Sequence, residues 1–308
     1  MGTEQLTRGE YCEAQGFPVE VTAVDGPLGA IVRCGNLTKV GEISRQAIHK
    51  AFLDHLVLVF PDQSLSDDEQ VLVTNIFGPP SGSLGTPGAN FDRRKVVVIS
   101  NQPGGALGSG ELRWHSDHSF EKQPFSASIL HAVEIPTEGG DTLFNNMYLA
   151  YATLPPDLRA RIEGLTIKND ISTNSAGQRV ERVPETTDVR RSEGPSHPIV
   201  RTHPETGLNA LYLGRRPFAY VNGLSVEDSE DLLDTLWAHA SAAHLEYRHR
   251  WSIGDLVVWD NRCTMHRRDA FDEAQRRVMH RTQCLGDVPI YDPAADARGF
   301  HRRARIPA

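Results

Sequence analysis

The sequence is poor in the residues that build disulfide scaffolds, zinc ribbons and membrane spans. Its four cysteines, Cys12, Cys34, Cys263 and Cys284, fall at no C-x-x-C spacing in 308 residues, which argues against a disulfide framework and a thiolate zinc site and for reduced thiols in a cytoplasmic setting. No apolar run approaches the length of a membrane span. Met1 to Leu6 carry neither a signal-peptide core nor the Ser or Thr of a myristoylation signal. A basic excess is also missing: 32 Lys and Arg stand against 40 Asp and Glu, for a net charge of −8. That balance argues against nucleic acid or a membrane surface as partner. Repeats at solenoid or propeller periods are absent. The glycine-rich stretch Gly104 to Gly110 has no lysine at phosphate-loop spacing, so we expect a flexible hairpin connection there.

Hydrophobic residues make up 39% of the chain, enough for a sizeable core in a chain of this length. A helix is expected near Ile43 to Leu53, followed by a strand over Leu56 to Phe60. Ser66-Asp67-Asp68-Glu69 reads as a capping box opening a second helix toward Phe77-Gly78, and Ser81 to Asn90 as a loop. Strands are expected over Lys95 to Ser100, over Ser126 to Val133, which alternates like a core-facing strand, and after Gly139-Gly140-Asp141-Thr142. Asn145 or Asn146 can cap a helix over Met147 to Leu154, and Pro155-Pro156 starts another that stops at Gly164. Residues 169–196 are polar with few apolar anchors, and we expect a mobile lid there. A capping box at Ser225 to Asp228 opens a helix running to about His244, with Leu232, Leu233, Leu236 and Trp237 at core spacing.

Within this frame lies a constellation that carries chemistry. His115 and Asp117 stand two apart in Trp114-His115-Ser116-Asp117, a spacing that on a strand turns both toward one side. His266 follows the buried-strand pattern of Leu256 to Asp260. Two imidazoles and one carboxylate form the facial ligand set that holds Fe(II) while leaving positions open for oxygen and an organic co-ligand. Further on, Arg277 and Arg281 are an even number of residues apart, so on a strand both reach the pocket face. A guanidinium fork is the group that grips a carboxylate.

These residues sit in motifs that resemble those of the taurine/2,4-dichlorophenoxyacetate dioxygenase family. The motifs are Trp114-His115-Ser116-Asp117, Gly139-Gly140-Asp141-Thr142, His197-Pro198 with Thr202-His203-Pro204, Trp259-Asp260-Asn261-Arg262 with His266, and Arg276-Arg277 with His280-Arg281. The resemblance implies a mainly β fold with helical inserts around a double-stranded β-helix (jelly-roll, cupin-like) core, and we keep residues 1–308 as one domain. It implies Fe(II), with 2-oxoglutarate as co-substrate and O2, and a cytoplasmic enzyme that hydroxylates a C–H bond while releasing succinate and CO2. By it, His115, Asp117 and His266 are iron ligands, Thr142 and Arg277 meet 2-oxoglutarate, and Arg281 meets an anionic group of the primary substrate. Asp117 favours hydroxylation over halogenation, because related halogenases replace the carboxylate.

The substrate is expected to be a small organic anion, an aryloxyalkanoate-like carboxylate in the first instance. Taurine-type members place a histidine shortly after the Phe-Gly of the early helix, whereas here Phe77-Gly78 precedes Pro79-Pro80-Ser81. Ser81, His118 and Arg216 join Arg281 as substrate-binding candidates, with Arg215 adding field at the pocket mouth; one position past Asp117, His118 should face the other side of the strand. Alternatives are a sulfonate dioxygenase and a non-catalytic metal-binding jelly roll, against which a diacid anchor argues. Trp259 is expected in the core, and Asn261 and Arg262 behind the ligands. His131, His197, His203, His239 and His249 lack a carboxylate at ligand spacing, and ordinary hydrogen bonding is expected of them. A homo-oligomer, dimer or tetramer, fits common symmetry.

Overall fold

The computed structural model describes residues 18–81 and 96–298. The first residues with Cys12, the loop beyond Ser81 and Lys95 lie outside them. Chain order begins with β1 (Glu20–Ala23), β2 (Ala30–Arg33), helix α1 (Glu42–His55), β3 (Val57–Phe60) and α2 (Asp67–Thr74). It continues with β4 (Val97–Ser100), β5 (Ala106–Leu107), β6 (Leu112–His115), β7 (Ala127–Glu134), β8 (Thr142–Asn146), α3 (Met147–Ala152) and α4 (Pro156–Ile162). Short strands β9 (Thr166–Lys168), β10 (Ser196–Pro198), β11 (Val200–Thr202), β12 (Asn209–Leu211) and β13 (Tyr220–Val221) follow. The chain then forms α5 (Val226–Ala240), β14 (Glu246–His249), β15 (Leu256–Asp260), β16 (Thr264–Arg268) and β17 (Val278–Gln283).

Two sheets carry the architecture. One has eight strands in the order β1-β2-β3-β15-β7-β17-β4-β5, the other four in the order β14-β8-β16-β6. Side chains alternate faces along a strand, and the central strands of the large sheet are apolar on both. Val57, Val59, Val257 and Trp259 join Phe144 and Met265 of the small sheet in one core, while Leu58, Phe60, Leu256 and Val258 join Ile48, Phe52 and Val73 of α1 and α2 in a second. This two-sided burial explains why Leu56 to Phe60 reads as an uninterrupted hydrophobic run. It also corrects the alternation expected of β7, whose first six residues are all buried.

Strand β17 alternates functionally as well as physically. Its even positions face α2: Gln70 donates to His280 O at 2.9 Å, and the hydroxyls of Thr74 and Thr282 lie 2.7 Å apart. The odd positions face inward, with Met279 fully buried. The capping box at Ser66 is present in both directions, and Asn146 rather than Asn145 caps α3. Helix α5 stops at Ala240, four residues short of the expected end, where Ser241 takes a non-helical cap and a 3-10 turn follows. The stretch 104–110 is not a hairpin connection. It contains β5, which pairs in parallel with β4 after Gly104 turns the chain at φ +83°.

Candidate active site

Three adjacent strands of the small sheet set the centre. His266 on β16 pairs directly with His115 on β6 and with Phe144 on β8, so the two imidazoles stand on one face with ring centroids 4.2 Å apart. Asp117 is not on the strand as its spacing suggested, since β6 ends at His115 and Asp117 opens a turn. The turn nonetheless returns its carboxylate to the same place, with Asp117 Oδ1 3.6 Å from His115 Nε2 and 3.9 Å from His266 Nε2. The three residues each offer one ligand atom, all within 4.8 Å of one another, a spacing that one cation with bonds of about 2 Å can span with small side-chain shifts.

The protonation states suit a metal. His115 Nδ1 donates to Arg113 O at 2.6 Å, which leaves its Nε2 lone pair free. Burial, with His115 beside it, pushes His266 down to about 3, so its imidazole is neutral. For Asp117, burial alone would raise the carboxyl, but His266, His115 and the Arg281 guanidinium outweigh it and hold it well below the usual range. Ser128 donates to Asp117 Oδ2 at 2.6 Å, Gln283 donates to the same oxygen at 3.3 Å, and Asn261 and Gln283 both donate to Ser128 Oγ. That clamp aims Oδ1 at the imidazoles. Ser128 and Gln283 escaped the sequence reading, although Gln283 stands two residues beyond Arg281 and so on the same face.

A cleft opens beside the triad, lined by His115, Asp117, His118, Arg216 and Arg281 together with the apolar Ile99, Leu107, Phe120, Ile171 and Val180. His118 does not face away. With φ +54° it leaves the strand path and enters the cleft wall, its ring 4.4 Å from that of Phe125, and burial pushes it down to about 4. Arg281 Nη1 stands 3.7 Å from Asp117 Oδ1, and its buried Nε has no partner. Arg216 stacks over Phe120 at 5.0 Å and donates to Asp170 O at 3.3 Å. Ser81 is not among the residues lining this cleft. Its amide donates to Gln283 O and its hydroxyl is buried without a partner. Arg215 is engaged with Glu230 and Asp234 of α5 and lies apart from the cleft.

Arg277 does not line this cleft with Arg281: it precedes β17, whose pairing with β7 shifts register between Val278 and Met279, and it borders a separate hollow with Gly140 and Trp251. It is 1% exposed, with its guanidinium 5.8 Å from the Trp251 ring and 6.0 Å from that of Phe271. Burial, with the charge of Arg268 beside it, pushes it down to about 9. Gly140, at φ +70°, passes so close that a Cβ there would lie 3.3 Å from Arg277 Nε, so a side chain at 140 would crowd the arginine. Thr142 is buried, and Trp251 Nε1 donates to its hydroxyl at 3.0 Å. Trp259 belongs to the core as expected, with its ring 4.8 Å from that of His266. Arg262 grips Asp260 and reaches Glu205.

His203 makes the ordinary hydrogen bonds expected of it, one of them to a carboxylate distant in sequence: its Nε2 lies 3.0 Å from Asp260 Oδ2, close to Cys263. Its Nδ1 accepts the amides of Glu205 and Thr206, so both ring nitrogens are used and this cluster has no imidazole lone pair for a metal. His249 likewise has a carboxylate 3.1 Å away, in Asp255. Cys34, Cys263 and Cys284 are buried free thiols.

A family described as taurine catabolism dioxygenase TauD, TfdA family, matches residues 20–283. The chain belongs to this family. Among TauD/TfdA relatives, pentalenolactone F synthase of Streptomyces arenae is 33% identical over 91% of this chain and 99% of its own. The alpha-ketoglutarate-dependent 2,4-dichlorophenoxyacetate dioxygenase of Cupriavidus pinatubonensis is 35% identical over 82% of this chain and 91% of its own. The structure of AAD-2 with Mn(II) and N-oxalylglycine superposes with a TM-score of 0.73 at 30% identity, covering 89% of this chain and all of that one. The TauD/TfdA chain described here is therefore an Fe(II)- and 2-oxoglutarate-dependent dioxygenase built on a jelly-roll core. None of its helices, among the described residues, is long and apolar enough to cross a membrane.

Proposed function

We propose that His115, Asp117 and His266 hold the iron, that Arg277 and Thr142 receive the distal carboxylate of 2-oxoglutarate, and that Arg281, Arg216 and His118 receive the primary substrate. The observation that carries this reading is the convergence of the His115 and His266 imidazoles and the Asp117 carboxylate on a common point. Iron bound there supplies O2 activation, coupling oxidative decarboxylation of 2-oxoglutarate to hydroxylation of a substrate C–H bond. The residues around it position the reactants. Ser128 and Gln283 fix the Asp117 carboxylate, and Trp251 fixes the Thr142 hydroxyl.

The substrate we propose is a small carboxylate with an apolar, aryl-sized body. Arg281 and Arg216 supply positive charge, and neutral His118 adds a ring face rather than a third cation. Ile99, Leu107, Phe120, Ile171 and Val180 supply apolar walls, a lining suited to an aromatic ether acid such as that named for the Cupriavidus relative. A sulfonate would satisfy the arginines equally but leaves the apolar walls less used. Residues 169–196 act as a lid in this reading, since Ile171, Thr173, Asn174, Ser175 and Val180 wall the cleft and Arg113 N donates to Ser175 O at 3.1 Å. The whole chain then works as one domain.

The test is anaerobic addition of Fe(II) and 2-oxoglutarate, followed by visible absorbance and then by a screen of carboxylates and sulfonates for succinate release. A charge-transfer band that shifts with an aryloxyalkanoate, with succinate released in proportion, is expected. Absence of the band would remove the ligand assignment, and a response to sulfonates alone would remove the substrate class.

A further inference from the structure

Strand β16 carries a second buried arginine beyond the iron-site histidine. Arg268 is two residues past His266, so both side chains share the inward face. It pairs directly with Thr142 across β8, and in an antiparallel pair such opposite residues lie side by side. Arg268 is 4% exposed. Its Nη2 donates to Leu107 O at 3.2 Å and to Gly110 O, while its Nε is buried without a partner. The guanidinium lies 5.2 Å from the Phe271 ring, the same ring that Arg277 approaches at 6.0 Å.

Two buried guanidiniums thus converge on one aromatic ring, close enough for the charge of one to act on the other. Among the described residues neither has an ion-paired carboxylate, and each keeps a buried Nε without a partner. Like charges left unpaired in a low-dielectric interior are costly. Such a cost is met when an anion enters between them.

We propose that Arg268 is a second cationic anchor for the distal carboxylate of the co-substrate, acting beside Arg277 and Thr142 and selecting 2-oxo acids that end in a carboxylate. This inference rests on the reading of the site given above. Arg268 has a further duty that must be separated from this one, because its bonds to Leu107 O and Gly110 O hold β5, and Leu107 lines the substrate cleft. An anchor discriminates between co-substrates with and without the distal carboxylate; a strut for β5 does not.

The experiment is anaerobic titration of the Fe(II)-loaded protein with 2-oxoglutarate and with 2-oxobutyrate, which lacks the distal carboxylate, read by visible absorbance. Arg268→Met is expected to weaken 2-oxoglutarate by about tenfold or more, the scale of a lost charge-assisted hydrogen bond, and to leave 2-oxobutyrate within about twofold. Arg268→Lys, which keeps the charge and loses the fork, should fall between. Equal weakening of both acids, or of neither, overturns the proposal. Should Arg268→Met fail to fold, the ratio of the two affinities in Arg268→Lys gives the same reading: a lower ratio than wild type supports the anchor, and an unchanged ratio overturns it. A wild-type protein that binds neither acid would sink the site assignment and this inference together. A normal wild-type titration with an unchanged variant sinks this inference alone.

Discussion

Asp117 is held by groups from three directions: Ser128 of β7, Gln283 of β17 and the imidazoles beside β6 and β16. Gln283→Leu keeps the volume of the side chain and removes an amide donor, so iron affinity should fall by about 10–100-fold. Competition against a chelator of known affinity measures this, and wild-type affinity would show that the clamp is ornamental. Arg277→Met and Arg281→Met should divide the two substrates. The first is expected to raise the 2-oxoglutarate requirement at least about tenfold with little change for the primary substrate, and the second to do the reverse. Steady-state titration of each substrate at saturation of the other tests the split. The convergence of His115 and His266 was legible in the sequence because their motifs are unusual at those spacings. Asp117 reaches the same point by a turn rather than by strand alternation, which the two-residue spacing alone does not reveal. That Arg268 and Trp251 lie beside Thr142 was not legible, because nothing in a sequence marks which strand or loop will pack there.

At the scale of elements, the expected strands and helices over 42–60 and 126–152 were found with boundaries shifted by a residue or two, because apolar runs and caps fix them locally. Pairing partners were not readable in advance. Parallel pairing of β5 with β4 depends on contacts that only the closed fold supplies. Helix α2 illustrates how a local signal serves the site at a distance. Its capping box fixes the helix whose Gln70 and Thr74 grip the outer face of β17, the strand that bears Arg281. Ser66→Ala should cost about 1 kcal/mol, measured by chemical denaturation, and the loss should leave the 2-oxoglutarate titration intact if α2 only supports the strand. The segment 169–196 should be cut by a protease more slowly once iron, 2-oxoglutarate and substrate are bound. Equal cutting rates would argue that it is a fixed wall.

The whole molecule is joined across its layers by a charged chain that runs from α1 to the motif behind the iron site. His49 meets Glu205 at 2.8 Å, Glu205 meets Arg262, and Arg262 meets Asp260. The bond from His49, against the opposing effect of burial, together with Arg262, depresses Glu205 to about 2. A carboxylate with a depressed native value stabilises the fold above its unfolded value of about 4.3, and that contribution disappears as pH falls toward 2. The same bond raises His49, whose contribution is complete below about 6.5 and is lost as pH rises through its native value. Glu205→Gln should therefore flatten the acid limb of stability between about pH 4.5 and 2. Thermal melts across that window check it, and parallel limbs for the two proteins would refute it.

The placement of Asp117 has a mechanical consequence. Its chain segment leaves the four-stranded sheet, yet its carboxylate is fastened to β7 and β17 of the eight-stranded one. The histidines belong to the first sheet, whereas Arg281 lies on β17 of the second and Arg277 immediately precedes that strand. An ion gripped by all three ligands, with a diacid reaching Arg277, would rivet one leaf of the sandwich to the other. Iron and co-substrate would then be fasteners as well as reagents, and amide exchange across β6, β16 and β17 would slow together when they bind.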